Sequence, residues 1–75
     1  MLNNEERRVL EIIDGKLLIT EKELISVLER ENINEADYAI KKLRDDGFID
    51  RVESLGTCIV ITQKGMRALK AKKYY

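Results

Sequence analysis

The chain has 75 residues, with 14 basic and 14 acidic side chains, 44% hydrophobic content, one cysteine and neither histidine nor proline. That length suits one small domain spanning 1–75, near the lower limit at which a core stabilises a fold without disulfides or metals. A single cysteine closes no internal bridge, and with no histidine and no glycine-rich phosphate loop the chain offers no catalytic acid–base pair or metal cluster, so neither an enzyme nor a cofactor is expected.

No apolar run of about 18 residues occurs, which points to a soluble, cytoplasmic protein with no membrane partner and no small-molecule ligand. The lack of proline and the abundance of Lys, Glu, Arg and Ile are compatible with a thermophilic source. All 14 acids fall between Glu5 and Glu53, where nine bases accompany them; Lys64, Arg67, Lys70, Lys72 and Lys73 follow, so the two parts carry −5 and +5. A basic tail of this kind is either a solvated helix end or an electrostatic contact for phosphate.

In chain order, Asn3 and Glu6 have capping-box spacing, and Val9, Ile12 and Ile13 then share one helical face, with Leu10 beside it and Gly15 as the expected stop. "KLLI" reads as a brief strand. Thr20 and Glu23 form a second capping box, opening a helix whose buried stripe is Leu24, Val27 and Leu28. After a turn at Glu31 to Asn34, a third helix is expected with Asn34 as N-cap and Ile33, Ala36, Ile40 and Leu43 facing in, ending near Asp46 with Gly47 in the left-handed position. "FIDRV" and "TCIVIT" then read as a hairpin turning at "ESLG". Thr62 caps a last helix with Met66 and Leu69 inward. The expected class is α+β, mostly helical: helix, short strand, helix, helix, hairpin, helix.

That succession resembles the winged helix-turn-helix family. The resemblance covers nearly the whole chain and is carried by the "RENIN" turn, the Leu43 to Ile49 junction "LRDDGFI" and the "ITQKG" start of the last helix, Ile61 to Gly65. It implies a small prokaryotic, archaeal or viral transcription regulator that binds double-stranded DNA sequence-specifically as a homodimer in the nucleoid. The third helix would lie in the major groove and the hairpin, or wing, on the backbone. It also implies that the first and last helices pack on a second copy, with Arg7, Arg8, Lys64 and Arg67 approaching the flanking backbone.

A helical wheel with Ile33, Ala36, Ile40 and Leu43 inward leaves Asn34, Tyr38, Lys41, Lys42 and Asp45 outward, with Arg44 and Asp37 on a flank. Lys41 and Lys42 suit phosphates or guanine, Tyr38 phosphate or a thymine methyl, and Asn34 adenine. Arg51, Ser54 and Thr57 on the hairpin would hold the backbone. From Asn34 to Thr57, however, four bases face six acids, and duplex affinity depends on phosphate neutralisation. Pairs at i,i+4 such as Asp37 with Lys41, Lys41 with Asp45 and Lys42 with Asp46 make a solvated, ion-paired face the bland reading of the lysines. The alternative function is a winged helix whose acidic third-helix surface binds a protein partner. Tyr74 and Tyr75 read as a dimer contact or a loose tail rather than a base-stacking platform, and Cys58 as an inert strand thiol.

Overall fold

The computed structural model describes residues 2–53 and 56–71. Among these the order is α1 (Asn4–Lys16), β1 (Ile19–Thr20), α2 (Glu21–Arg30), α3 (Ala36–Asp45), β2 (Ile49–Val52), β3 (Cys58–Ile61) and α4 (Gln63–Ala71). The class is α+β, as the alternating periodicities lead one to expect. Ser54 in the hairpin turn, and Tyr74 and Tyr75 in the tail, lie outside the described residues.

The sheet is antiparallel with order β1-β3-β2, so the strand from the first half of the chain pairs with the far arm of the hairpin. Ile19 lies opposite Ile59, and Arg51 lies opposite Ile59 from the other side, while Ile49 faces Ile61. Paired residues share a sheet face. Ile19, Ile49 and Ile59 are buried on that face. Arg51 stands on the same face, at its exposed rim.

α1 is the central helix and packs against α2, α3, α4 and β3. Its Asn3 and Glu6 form the expected capping box, with Asn3 Oδ1 accepting from the Glu6 amide at 2.7 Å and Glu6 Oε1 accepting from the Asn3 amide at 3.1 Å. Val9, Leu10 and Ile13 are fully buried. Gly15 does not stop the helix. The left-handed residue is instead Leu17, at φ 64°, in a γ-turn whose Leu18 amide donates to the Lys16 carbonyl at 2.6 Å, a rare and strained turn for a β-carbon-bearing residue. The strand read in "KLLI" is correspondingly short, starting only at Ile19.

α2 starts on the Thr20 cap, whose hydroxyl accepts from the Glu23 amide, and buries Leu24 and Leu28, with Val27 half-buried beside them. Its end and the end of α3 use one device. The Ile33 amide donates to Leu28 O and the Asn32 amide to Glu29 O; the Phe48 amide donates to Leu43 O and the Gly47 amide to Arg44 O. Asn32 and Gly47 hold φ of 62° and 84°. Both are Schellman ends, in which a left-handed residue reverses the chain and the next apolar side chain drops onto the core.

The cap expected at Asn34 is displaced. α3 begins at Ala36 with Glu35 as N-cap and no side-chain cap bond, because the Asn32 reversal carries the chain through a turn at Asn34 and Glu35 before the helix starts. Ala36, Ala39, Ile40 and Leu43 are its buried residues. On α4, Leu69 packs against the core, but Met66 is exposed rather than inward.

The two sequence stretches "LRDDGFI" and "ITQKG" meet in space. Thr62 Oγ1 donates to Gly47 O at 2.6 Å and accepts from the Gly65 amide at 3.1 Å, capping α4 on the end of α3. Lys64 Nζ donates to Asp46 O at 2.7 Å and lies 5.1 Å from the Phe48 ring centroid, a cation at the negative end of the α3 dipole. Gly65 is buried against Phe48, where its missing side chain makes room for the Phe48 carbonyl.

Candidate nucleic-acid interface

α3 is fixed below by its apolar stripe and at its end by the Thr62 and Lys64 contacts, and its outer face is open. Asn34, Glu35, Asp37, Tyr38, Lys41 and Asp45 are all exposed there, Tyr38 to 63%. Since Asn34 caps nothing, its amide is available to a ligand. Lys41 Nζ lies 3.1 Å from Asp45 Oδ2, the i,i+4 pair expected from spacing. Both side chains are more than half exposed, so the pair contributes at most about 0.5 kcal/mol and the lysine leaves it at little cost.

Lys42 is the correction. It leans from the outer face toward α1 with 42% of its side chain exposed, its Nζ 3.0 Å from Glu6 Oε2 across the α1–α3 contact. The Glu6 side chain is 4% exposed, and Glu6 is the buried charged residue of the described chain. Burial pushes the Glu6 carboxyl up, but the Asn3 amide and the Lys42 ammonium outweigh it and hold the group below the usual carboxylate range. The same hydrogen bond and charge raise Lys42. Capping-box spacing reveals Glu6 as a helix-start residue; nothing local to the sequence reveals its partner across the α1–α3 contact.

Arg44 is half-buried on the flank of α3 and forms no ion pair among the described residues. Arg51 is loosely held, its Nε 3.9 Å from Glu53 Oε2. Thr57 is half-buried, and its carbonyl accepts from the Glu21 amide at 3.1 Å, joining the hairpin to the first turn of α2. Asn34, Tyr38, Lys41 and Arg44 thus belong to one helix and its approach, with Arg51 on the neighbouring strand; Lys42 is tied to Glu6 at the flank of the helix, and Thr57 to α2 through its backbone carbonyl.

Of the four basic residues expected to flank the site, Arg7, Arg8 and Lys64 are engaged within the molecule. Arg8 grips Glu31 with two bonds, Nε to Oε1 at 2.7 Å and Nη2 to Oε2 at 2.8 Å, which raises the guanidinium and lowers the carboxyl. Arg7 Nη2 donates to Leu69 O at 3.0 Å, and Lys64 to Asp46 O as above. Arg67 is exposed. Beside Arg7, an open groove of about 580 Å³ runs between α1 and α4, lined by Glu11, Asp14, Gly15, Met66, Leu69 and Lys70.

No His/Cys/Asp/Glu group among the described residues could hold a metal ion, and no described helix is long and apolar enough to cross a membrane. No family model matches the chain, and neither a curated protein nor a solved structure is found to match it.

Proposed function

We propose that the chain is a winged helix-turn-helix protein that binds duplex DNA sequence-specifically, as a dimeric transcription regulator. The observation that carries this reading is the placement of α3: it follows α2 through the tight Asn32 reversal, leaves its Asn34–Tyr38–Lys41 face open, and lies beside a β2–β3 hairpin paired to β1 in the order β1-β3-β2. A helix with one open polar face fits the major groove, and the hairpin is positioned to meet the adjoining backbone. Lys41, Arg44 and Arg51 supply the phosphate contacts, with Asn34 and Tyr38 at base edges.

Oligonucleotides selected from a random pool at low salt, followed by titration across salt concentrations, test it. Lys41→Ala should weaken binding and lower the slope of log affinity against log salt by roughly 1. Asp45→Asn should tighten binding, because it frees Lys41 and removes a charge that repels phosphate. Failure to retain any duplex at low salt overturns the reading.

A second reading has its own observation. With Lys42 turned to α1, the exposed face of α3 and its approach carry Lys41 against Glu35, Asp37 and Asp45, a surface that suits a basic protein segment. Loss of partner binding on Asp37→Asn and Asp45→Asn, with no duplex retained, would select it.

A further inference from the structure

Glu6 serves two elements through two oxygens. Oε1 accepts from the Asn3 amide at the start of α1, while Oε2 lies 3.0 Å from Lys42 Nζ on α3. The carboxylate is thus fixed in place by the helix it caps before it meets the lysine. Ala36, Ala39, Ile40 and Leu43 pack α3 against the core, and the Glu6–Lys42 pair adds a charged, directional tie on the flank of the helix, from a carboxylate that is itself held in place.

We propose that Lys42 is a positioning residue: its ammonium, anchored on Glu6, sets the rotation of α3 about its own axis and so the direction in which Asn34, Tyr38 and Lys41 face, and it does not contact DNA. The inference deepens the duplex-binding reading and rests on it for its consequence, but the anchoring itself is a property of the free protein. A rotation of α3 by a fraction of a turn sweeps the tips of Tyr38 and Lys41 sideways, because they project far from the helix axis, and base contacts depend on that direction.

The two roles open to Lys42 predict opposite signs for one substitution. Glu6→Gln keeps the capping bond, since glutamine still offers a carbonyl oxygen to the Asn3 amide, but releases the lysine. If Lys42 were a phosphate contact restrained by Glu6, freeing it and removing a negative charge would tighten duplex binding. If it positions α3, Glu6→Gln weakens binding despite the more positive protein. Lys42→Met, which keeps the aliphatic stem, then weakens binding as well and leaves the salt slope unchanged; a phosphate contact would lose about 0.9 from that slope.

The free protein supplies the arm that needs no DNA. In amide ¹H–¹⁵N spectra, Glu6→Gln and Lys42→Met should displace the same set of resonances along the length of α3, and the double variant should add little to either. Shifts confined to the immediate neighbours of each substitution, or additive in the double variant, overturn the proposal, as does tighter binding by Glu6→Gln. If neither the native chain nor the variants bind selected duplex, the functional reading fails and the spectra alone decide the anchoring.

Discussion

A β-carbon added at Gly65 would collide with the Phe48 carbonyl and come within 2.8 Å of Ile61 Cγ1, whereas one added at Gly15 meets nothing within 4 Å. Both glycines lie inside helices, where alanine is ordinarily favoured by up to about 1 kcal/mol. Gly15→Ala should therefore raise the urea midpoint. Gly65→Ala should lower it, by an amount at the upper end of the roughly 1–3 kcal/mol that overpacking costs, because the obstacle is backbone and cannot rotate away. The same measurement made at several pH values reports on Glu6 and Glu31, both held below the usual carboxylate value of 4.5, Glu6 by the Asn3 amide and the Lys42 ammonium and Glu31 by the Arg8 guanidinium. A carboxyl lowered on folding contributes stability that is complete above its unfolded value and is lost as pH falls through the folded one. Acidification from about that value downward should thus destabilise the native chain. Glu6→Gln should flatten this dependence, and an unchanged slope would show that the Glu6 contacts do not persist in solution.

At the scale of elements, consecutive residues of α1 grip three different parts of the molecule: Glu6 holds α3 through Lys42, Arg7 the last turn of α4 through Leu69 O, and Arg8 the end of α2 through Glu31. A helix advances about 100° per residue, so three neighbours in sequence point to three sides of α1, as its central position requires. This explains which features were legible beforehand. The Asn3, Thr20 and Thr62 caps and the Gly47 reversal depend on residues within a few positions of one another and each formed, although at Thr20 only the hydroxyl-to-Glu23 amide half of the expected capping box is made. The outward placement of Lys42 and the inward placement of Met66 came from a wheel, which ranks faces around one axis but does not know which neighbour lies beyond the edge. Lys42 found α1 there, and Met66 found solvent. Asn34 failed as a cap because Asn32, two residues earlier, took the left-handed turn and delayed the helix, and Gly15 failed as a stop because Leu17 took it instead.

At the scale of the whole molecule, Arg7, Arg8, Lys42 and Lys64 are committed to internal ties, so a single copy presents Lys41, Arg44 and Arg51 beside α3, and a two-fold assembly would double them along one duplex. On the proposed dimeric reading, the α1–α4 groove is the surface where a second copy would dock. Met66 is 37% exposed on its wall. The groove carries Glu11 and Asp14 on α1 and Lys70 on α4, and a two-fold axis sets the same patch against itself, so that acids of one copy can meet bases of the other. Sedimentation equilibrium should give a dimer and a melting temperature that rises with protein concentration. Met66→Glu, which places a carboxylate in the groove with Glu11 and Asp14, should yield a folded monomer whose thermal midpoint no longer depends on concentration. On DNA, that monomer should hold one half-site with the affinity gain from the second contact removed, a loss on the order of 100-fold or more. A native chain that sediments as a monomer at every concentration rules out the groove as a self-association surface, and a Met66→Glu chain that remains dimeric moves the interface elsewhere on the molecule.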